Sequence, residues 1–117
     1  MPTFPTQPDK VDGNINCPIS VAAAAIYYCF YCLMPKETPT CTGSFRPITI
    51  TAPKASLVHA KCPCAIAAGN VETSTRLVDT VLGALVKTIH GRIPAASHGG
   101  INNIAMRTEN WNYYETI

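Results

Sequence analysis

The side chains able to do nucleophilic, acid–base or metal chemistry in this sequence fall into three groups. The first is its cysteines, Cys17, Cys29, Cys32, Cys41, Cys62 and Cys64. Cys29 and Cys32 have CxxC spacing and Cys62 and Cys64 form a C-P-C, so a metal site has to be weighed. Zinc knuckles use turns with glycine and polar neighbours, whereas Cys29 and Cys32 sit in an apolar, helix-forming stretch. No histidine stands at ligand spacing to complete a set. An even cysteine count in a short chain also raises a disulfide scaffold, but Met1–Asp12 has no cationic segment leading into a hydrophobic run, as a secretory leader requires. Buried, reduced thiols are therefore expected, with a metal site and disulfides as the alternatives.

The second group is the polar turn Ser97-His98-Gly99-Gly100 with Asn102 and Asn103. A small-residue loop between a helix and a strand can turn backbone N–H groups and polar side chains onto a ligand. His98 is the candidate there. Ser97 beside it makes no catalytic dyad, because adjacency in sequence does not place a hydroxyl on an imidazole. Asn102 and Asn103 either bind a polar substrate or close the turn. His90 is expected to cap the end of a helix, and His59 to be structural within a strand. The third group is Asn70, Glu72 and Thr73 at the start of a helix. Free N–H groups there could seat a carboxylate or phosphate, although Glu72 would oppose an anion, and plain capping is the other reading. No G-x-S-x-G, P-loop, G-x-G-x-x-G or H-E-x-x-H motif is present.

The elements that must position these groups follow from pattern. Residues 1–17 read as an extended, proline-rich arm ending in the turn residues Asp12-Gly13-Asn14. A first helix is expected from about Pro18 to Met34, with Asn16 as N-cap and Pro18 in its first turn. It is apolar on every side, which marks a helix enclosed by protein. Its apolar core is shorter than the roughly 20 residues a membrane span needs. Pro47–Ala52 alternates apolar and threonine residues and reads as a strand, with a second strand over Lys54–Ala60. A second helix carries Leu77, Val78, Val81, Leu82, Leu85, Val86 and Ile89 on one face and polar residues on the other. Short strands are expected at Ile104–Arg107 and Trp111–Thr116. The order implies an α+β fold, with two main helices on short, mostly antiparallel strands.

Composition narrows the function classes. Of 117 residues, 47% are hydrophobic and 14% charged, with a net charge of +2. The hydrophobicity excludes a disordered tail, and the small, unclustered positive charge excludes electrostatic nucleic-acid binding. A small protein with so little charge needs something else to cover its surface. That points to self-association, or to a piece of something larger.

Four motifs, in order, carry a family resemblance. Arg46-Pro47-Ile48 is followed by T-A-P-K-A-S-L-V, then Ala68–Asp79 reads A-G-N-V-E-T-S-T-R-L-V-D, Pro94–Asn103 reads P-A-A-S-H-G-G-I-N-N, and Tyr113–Ile117 reads Y-Y-E-T-I. Together they closely resemble the hydantoinase B/5-oxoprolinase family, whose pattern runs RPI-x-V-x-A-P-x-G-S-L, GGNVETSQR-x-VD, PAAS-x-GTMNN and YYETI. Residues 18–117 would be a partial domain of that family, which continues into a glycine-rich stretch. Cys62 and Cys64 stand where relatives commonly have Pro and Ala. His98 and Gly100 stand where Gln and Thr are usual, and Ala68 replaces a Gly.

The resemblance implies an ATP-dependent hydrolase of cyclic amides such as hydantoins or 5-oxoproline, in the cytoplasm; some relatives carboxylate ketones. It implies ATP and a divalent metal for the complete system, both bound outside this stretch. The expected partners are a hydantoinase A-like ATP-handling subunit or domain and the missing segments of the same enzyme. No metal ligand is assigned here, and neither nucleic acid nor membrane is expected as a partner. The substrate-positioning residues would be Asn70, Glu72, Thr73, Ser97, His98, Asn102 and Asn103. A non-catalytic assembly piece or a reading-frame remnant is the rival reading, and a cysteine-based metal module a third.

Overall fold

The structure, a computed structural model, describes residues 10–100 and 102–116; the rest of the expected N-terminal arm lies outside them. Helix α1 spans Ile19–Tyr31 and buries Ala22, Ala25 and Cys29, spaced three and four apart as one helix face requires. These are small side chains, and they let a second helix come close. The Cys29 thiol reaches the Ala25 carbonyl of its own helix at 3.3 Å and the Val78 carbonyl of helix α2 (Ser74–Leu85) at 3.7 Å. The larger residues of α1 stay half-buried or, at Tyr28, exposed. Enclosure on every side was expected; the structure fully buries one stripe.

A second side of α1 is covered by the chain that follows it. A single 3-10 turn, Thr42–Phe45, stacks the Phe45 ring on Tyr27 with centroids 4.7 Å apart, and Tyr31 shares a 2.9 Å hydrogen bond with the Thr40 hydroxyl. At the C-terminal end of α1, Arg92 donates to the Leu33 carbonyl at 3.1 Å, a cation placed where the helix dipole favours it. The expected cap of the other helix is absent. Hydrogen-bonded turns carry the chain from Leu85 to Ile89, and His90 lies exposed beyond them.

The N-terminus of α1 also differs from expectation. Its N-cap is Pro18, with no side-chain cap bond, while Asn16 turns its amide onto Val11, Gly13 and Ala65. Beside it, Cys17 donates its N–H to the Leu57 carbonyl at 2.7 Å and accepts from the Ala60 N–H at 3.0 Å. Asn16 and Cys17 are both completely buried. Cys17, Ala22 and Val58 form the core, with Val21, Ala52 and Leu77 packed against it.

Neither strand expected between residues 47 and 60 forms a ladder. Pro47–Ala52 keeps its alternation, with Ile48, Ile50 and Ala52 half-buried and Thr49 and Thr51 exposed, but no described strand pairs with it. Lys54–Ala60 is a run of turns: the Ser56 hydroxyl bonds the Pro53 carbonyl at 2.7 Å, and the His59 N–H bonds the Ser56 carbonyl at 3.1 Å. The turn needs a left-handed residue, and Ala55 supplies it at φ 64°, where the related family pattern has glycine. A Cβ in this region costs about 1–2 kcal/mol, partly offset by the larger entropy glycine loses on folding. Ala55→Gly should therefore stabilise the chain by about 0.5–1 kcal/mol, read as a higher denaturant midpoint at unchanged m-value.

The C-terminal strands are found close to where the alternation puts them. Strand β1 (Asn103–Arg107) pairs antiparallel with β2 (Asn112–Thr116) in a two-stranded sheet. The fold is thus α+β, with the two helices packed on each other and every β1 residue exposed. Register puts Ile104 opposite Glu115 and Met106 opposite Tyr113, so Ile104, Met106 and Tyr113 share one face with Glu115, and that face is open. The described residues form a small piece with little interior: its buried hydrophobic side chains are Cys17, Ala22, Ala25, Cys29 and Val58. None of its helices is long and apolar enough to cross a membrane.

Candidate functional site

Helix α2 is entered through one π-type turn, Gly69–Thr73. Such turns widen the backbone spiral and reorient the side chains they carry. The turn is held from below by the buried strap around Asn16: Ala68 N–H donates to the Asn14 carbonyl at 2.9 Å, and the Thr73 hydroxyl donates to the Ile15 carbonyl. Thr73 is buried in that role. Glu72 is half-buried and Asn70 exposed; the Asn70 carbonyl accepts from the Ser74 hydroxyl.

One turn further along, α2 meets the polar loop. Asp79 accepts from the Ser97 hydroxyl at 3.1 and 3.3 Å and, more weakly, from the Ser97 N–H at 3.4 Å. The Ser97 oxygen in turn accepts from the Gly99 N–H at 3.1 Å. Thr75 Oγ1 lies 3.1 Å from the Gly99 carbonyl, and also within reach of the Val71 and Glu72 carbonyls, so its single proton is shared among three acceptors. The result is a docked turn with Gly99 left-handed, at φ 72°.

Docking gathers three of the expected side chains. A Cβ built on Gly100 would lie 3.7 Å from His98 Cδ2, 3.9 Å from Asn102 Nδ2 and 3.9 Å from Glu72 Oε1. Asn102 Nδ2 faces His98 Nε2 at 3.4 Å; donation in that direction leaves the ring proton on Nδ1. Glu72, His98 and Asn102 thus converge over a residue with no side chain of its own. Ser97 supports this cluster from the helix side. Asn70 and Thr73 are not part of it, and Asn103 belongs to β1. Reading the sequence alone missed Asp79 and Thr75 as loop anchors. Their signal is modest: polar residues on the solvent face of an amphipathic helix, with the Asp79–Ser97 contact spanning 18 residues.

The family model described as hydantoinase B/oxoprolinase matches residues 3–117. The chain belongs to this family. Similar proteins include 5-oxoprolinase 1 of Arabidopsis thaliana, 37% identical over 108 residues, and the 5-oxoprolinase of Saccharomyces cerevisiae, 34% identical over 120. An uncharacterized protein of Methanocaldococcus jannaschii is 35% identical over 108 residues. Each match covers 92% of this chain but only 8%, 9% and 19% of the respective relative. The chain therefore spans under a fifth of the length of these proteins. No solved structure matches it at a significant level.

Among the described residues no group of three or more His, Cys, Asp or Glu side chains is placed to hold a metal ion.

The cysteines are all free thiols, but burial divides them. Cys17 and Cys29 are buried, Cys64 is half-buried, and Cys32, Cys41 and Cys62 are exposed. The expectation of buried thiols holds for two of them only, because the C-P-C segment and the loop after α1 run along the surface. Burial pushes the Cys17 and Cys29 thiols up from the ordinary 9.0, with the neighbouring Cys32 adding to the effect at Cys29. The Ser44 hydroxyl, followed by the Ser44 and Gly43 backbone N–H groups, pulls Cys41 down. Thiol-specific labelling at neutral pH is therefore expected to reach Cys41 first and Cys17 and Cys29 last. The folded chain keeps two protons that the unfolded chain releases above pH 9.0. This stabilisation is full below that pH and is lost as pH rises through the higher folded values. Urea midpoints measured at pH 8 and pH 10 should fall accordingly.

Proposed function

We propose that this chain forms part of a cyclic-amide hydrolase of the hydantoinase B/5-oxoprolinase kind, which opens a hydantoin or 5-oxoproline ring in an ATP-dependent reaction. The family match across residues 3–117 carries this reading. Geometry supplies a compatible contact. A small lactam ring holds its amide cis, so that N–H and C=O point to one edge, and recognising that edge takes an acceptor beside a donor. Glu72 offers the acceptor and Asn102 Nδ2 the donor, both 3.9 Å from the same point above Gly100. His98 Nε2 lies 3.4 Å from Asn102 Nδ2 and can orient it. Asn70 and Asn103 flank the cluster from the helix start and the first strand, and Ser97 and Thr73 position it.

The ring-opening machinery belongs to the assembled enzyme. ATP and a divalent metal would be held by other segments, with a hydantoinase A-like subunit or domain handling the nucleotide, in the cytoplasm. The open face of the hairpin supports the need for assembly: Ile104, Met106 and Tyr113 are each at least 40% exposed. Alone, the chain is expected to self-associate and to be inactive. The same exposed face favours a second reading, in which the piece contributes packing and no chemistry.

One experiment separates them. 5-Oxoproline and hydantoin are titrated into the protein, alone and combined with the remaining segments of a hydantoinase B, while the His98 ring resonances and ring opening are followed. A lactam-dependent shift at His98, weakened by Glu72→Gln and Asn102→Ala, supports the substrate-binding role. Its absence in the assembled protein supports packing alone. Turnover by the isolated chain would overturn the assembly requirement.

A further inference from the structure

We propose that Asp79 is a positioning residue: through Ser97 and the left-handed Gly99 it fixes the turn that brings His98 and Asn102 over Glu72. The inference rests on the substrate-binding reading for its purpose, but its geometry stands without it. Asp79 lies on α2, and Glu72 lies seven residues earlier in the π-type turn that leads into it. The loop crosses both. At the Asp79 end it is tied by the carboxylate to both the hydroxyl and the N–H of Ser97. The same hydroxyl oxygen then receives the Gly99 N–H at 3.1 Å. A proton-donating chain thus runs from the Gly99 backbone through Ser97 to one carboxylate.

This arrangement favours glycine at position 99. Its φ of 72° disfavours any side chain, and a Cβ would lie 3.0 Å from Asp79 Oδ2 and 3.4 Å from Arg76 Nη1. The carboxylate therefore sits directly against the residue whose conformation it sets. Gly99 is buried there, whereas Ser97, His98 and Asn102 are exposed. An exposed loop of small residues has little packing to order it, so its polar ties decide where His98 points. With the tie cut, the Asn102–His98 contact at 3.4 Å and the approach of both to Glu72 depend on the Thr75 hydroxyl at the Gly99 carbonyl, whose proton is shared among three acceptors.

The test reads loop order with no ligand present, so failure of lactam binding leaves it intact. Hydrogen exchange by mass spectrometry is compared over peptides covering residues 95–100 and, as reference, α1. Ser97→Ala and Asp79→Ala are each expected to speed exchange in the loop about fivefold or more, as loss of one net hydrogen bond implies, with α1 unchanged. Ser97→Thr, which keeps the hydroxyl, should stay near the parent. The double variant should be no faster than either single one, because both remove the same tie. Acylation of His98 by diethylpyrocarbonate, measured against exposed His90 in the same molecule, should rise in the alanine variants and return in Ser97→Thr. Unchanged loop exchange in Ser97→Ala would overturn the proposal, as would additive effects in the double variant. Equal acceleration over α1 would also overturn it, reducing Asp79 to general stability.

Discussion

Gly69→Ala is expected to abolish cooperative folding of this chain. A Cβ at position 69 would overlap the Asn16 carbonyl oxygen and come 2.9 Å from the Asn16 carbonyl carbon and 3.2 Å from the Cys17 Cα. All three are backbone atoms, so no rotamer change relieves the clash. The strap that carries them cannot retreat either. It is held by the Asn16 amide, by Cys17 hydrogen bonds on both sides, and by the Thr73 hydroxyl on Ile15. Forcing strap and helix apart would break these bonds and open the only described core, at a cost above about 3 kcal/mol, within the range of the most damaging substitutions. Gly83→Ala is the matched control. It changes another α2 glycine with nothing within 4 Å of the added methyl, and helix propensity predicts a gain of up to about 1 kcal/mol. Far-UV circular dichroism through a urea series checks both. A cooperative Gly69→Ala transition at the parent's midpoint would refute the close approach.

Asn16→Ala is expected to cost about 2–4 kcal/mol. The side chain is completely buried, and it satisfies groups that would otherwise be stranded. Its Oδ1 accepts from the Val11 N–H at 2.9 Å. Its Nδ2 faces the Val11 and Gly13 carbonyls at 2.8 Å and Ala65 at 3.1 Å. Two amide protons serve three acceptors, the longest contact taking a share. Truncation leaves one donor and three acceptors without their partner, and unsatisfied buried groups cost about 1–3 kcal/mol each where water cannot reach them. Asn16→Asp should be at least as damaging, although it is nearly isosteric. It keeps an acceptor for Val11 but sets a carboxylate against three carbonyl oxygens. Equilibrium urea unfolding measures both variants. If Asp were tolerated at neutral pH and Ala were not, shape rather than donation would be what Asn16 supplies.

The family, and with it the class of chemistry, was readable from four short motifs, because the residues that carry them are adjacent in sequence. Helix α2 was readable from its three-and-four spacing, and the β1–β2 hairpin from alternation around Thr108–Trp111. Each of these depends on contacts within one element or between neighbours. The strands expected at Pro47–Ala52 and Lys54–Ala60 were not there. Alternation shows that a segment can face a core on one side, and Pro47–Ala52 does so, but a ladder needs a partner that the described chain does not hold. In Lys54–Ala60 one left-handed residue, Ala55, converts the run into turns.

The candidate site divides the same way. Glu72, His98 and Asn102 were chosen for their types and their places beside a helix start and a glycine loop, and the fold brings them together. Asn16, expected to cap α1, instead ties Val11 to Ala65. Asp79, seen only as one polar residue of a helix face, holds the loop. Contacts spanning 49 and 18 residues leave no local signature.

By itself, the sequence determined which residues bear chemistry, which stretches are helical, and that a chain with 14% charged residues cannot cover its own surface. Only the tertiary structure decided where the uncovered surface is, and which polar groups serve the site and which the scaffold. The uncovered surface lies on the open face of the hairpin and at Tyr28 of α1, not all round that helix. The physical reason is that periodicity records which side of an element avoids water, whereas the partner that meets that side is chosen by packing across the chain.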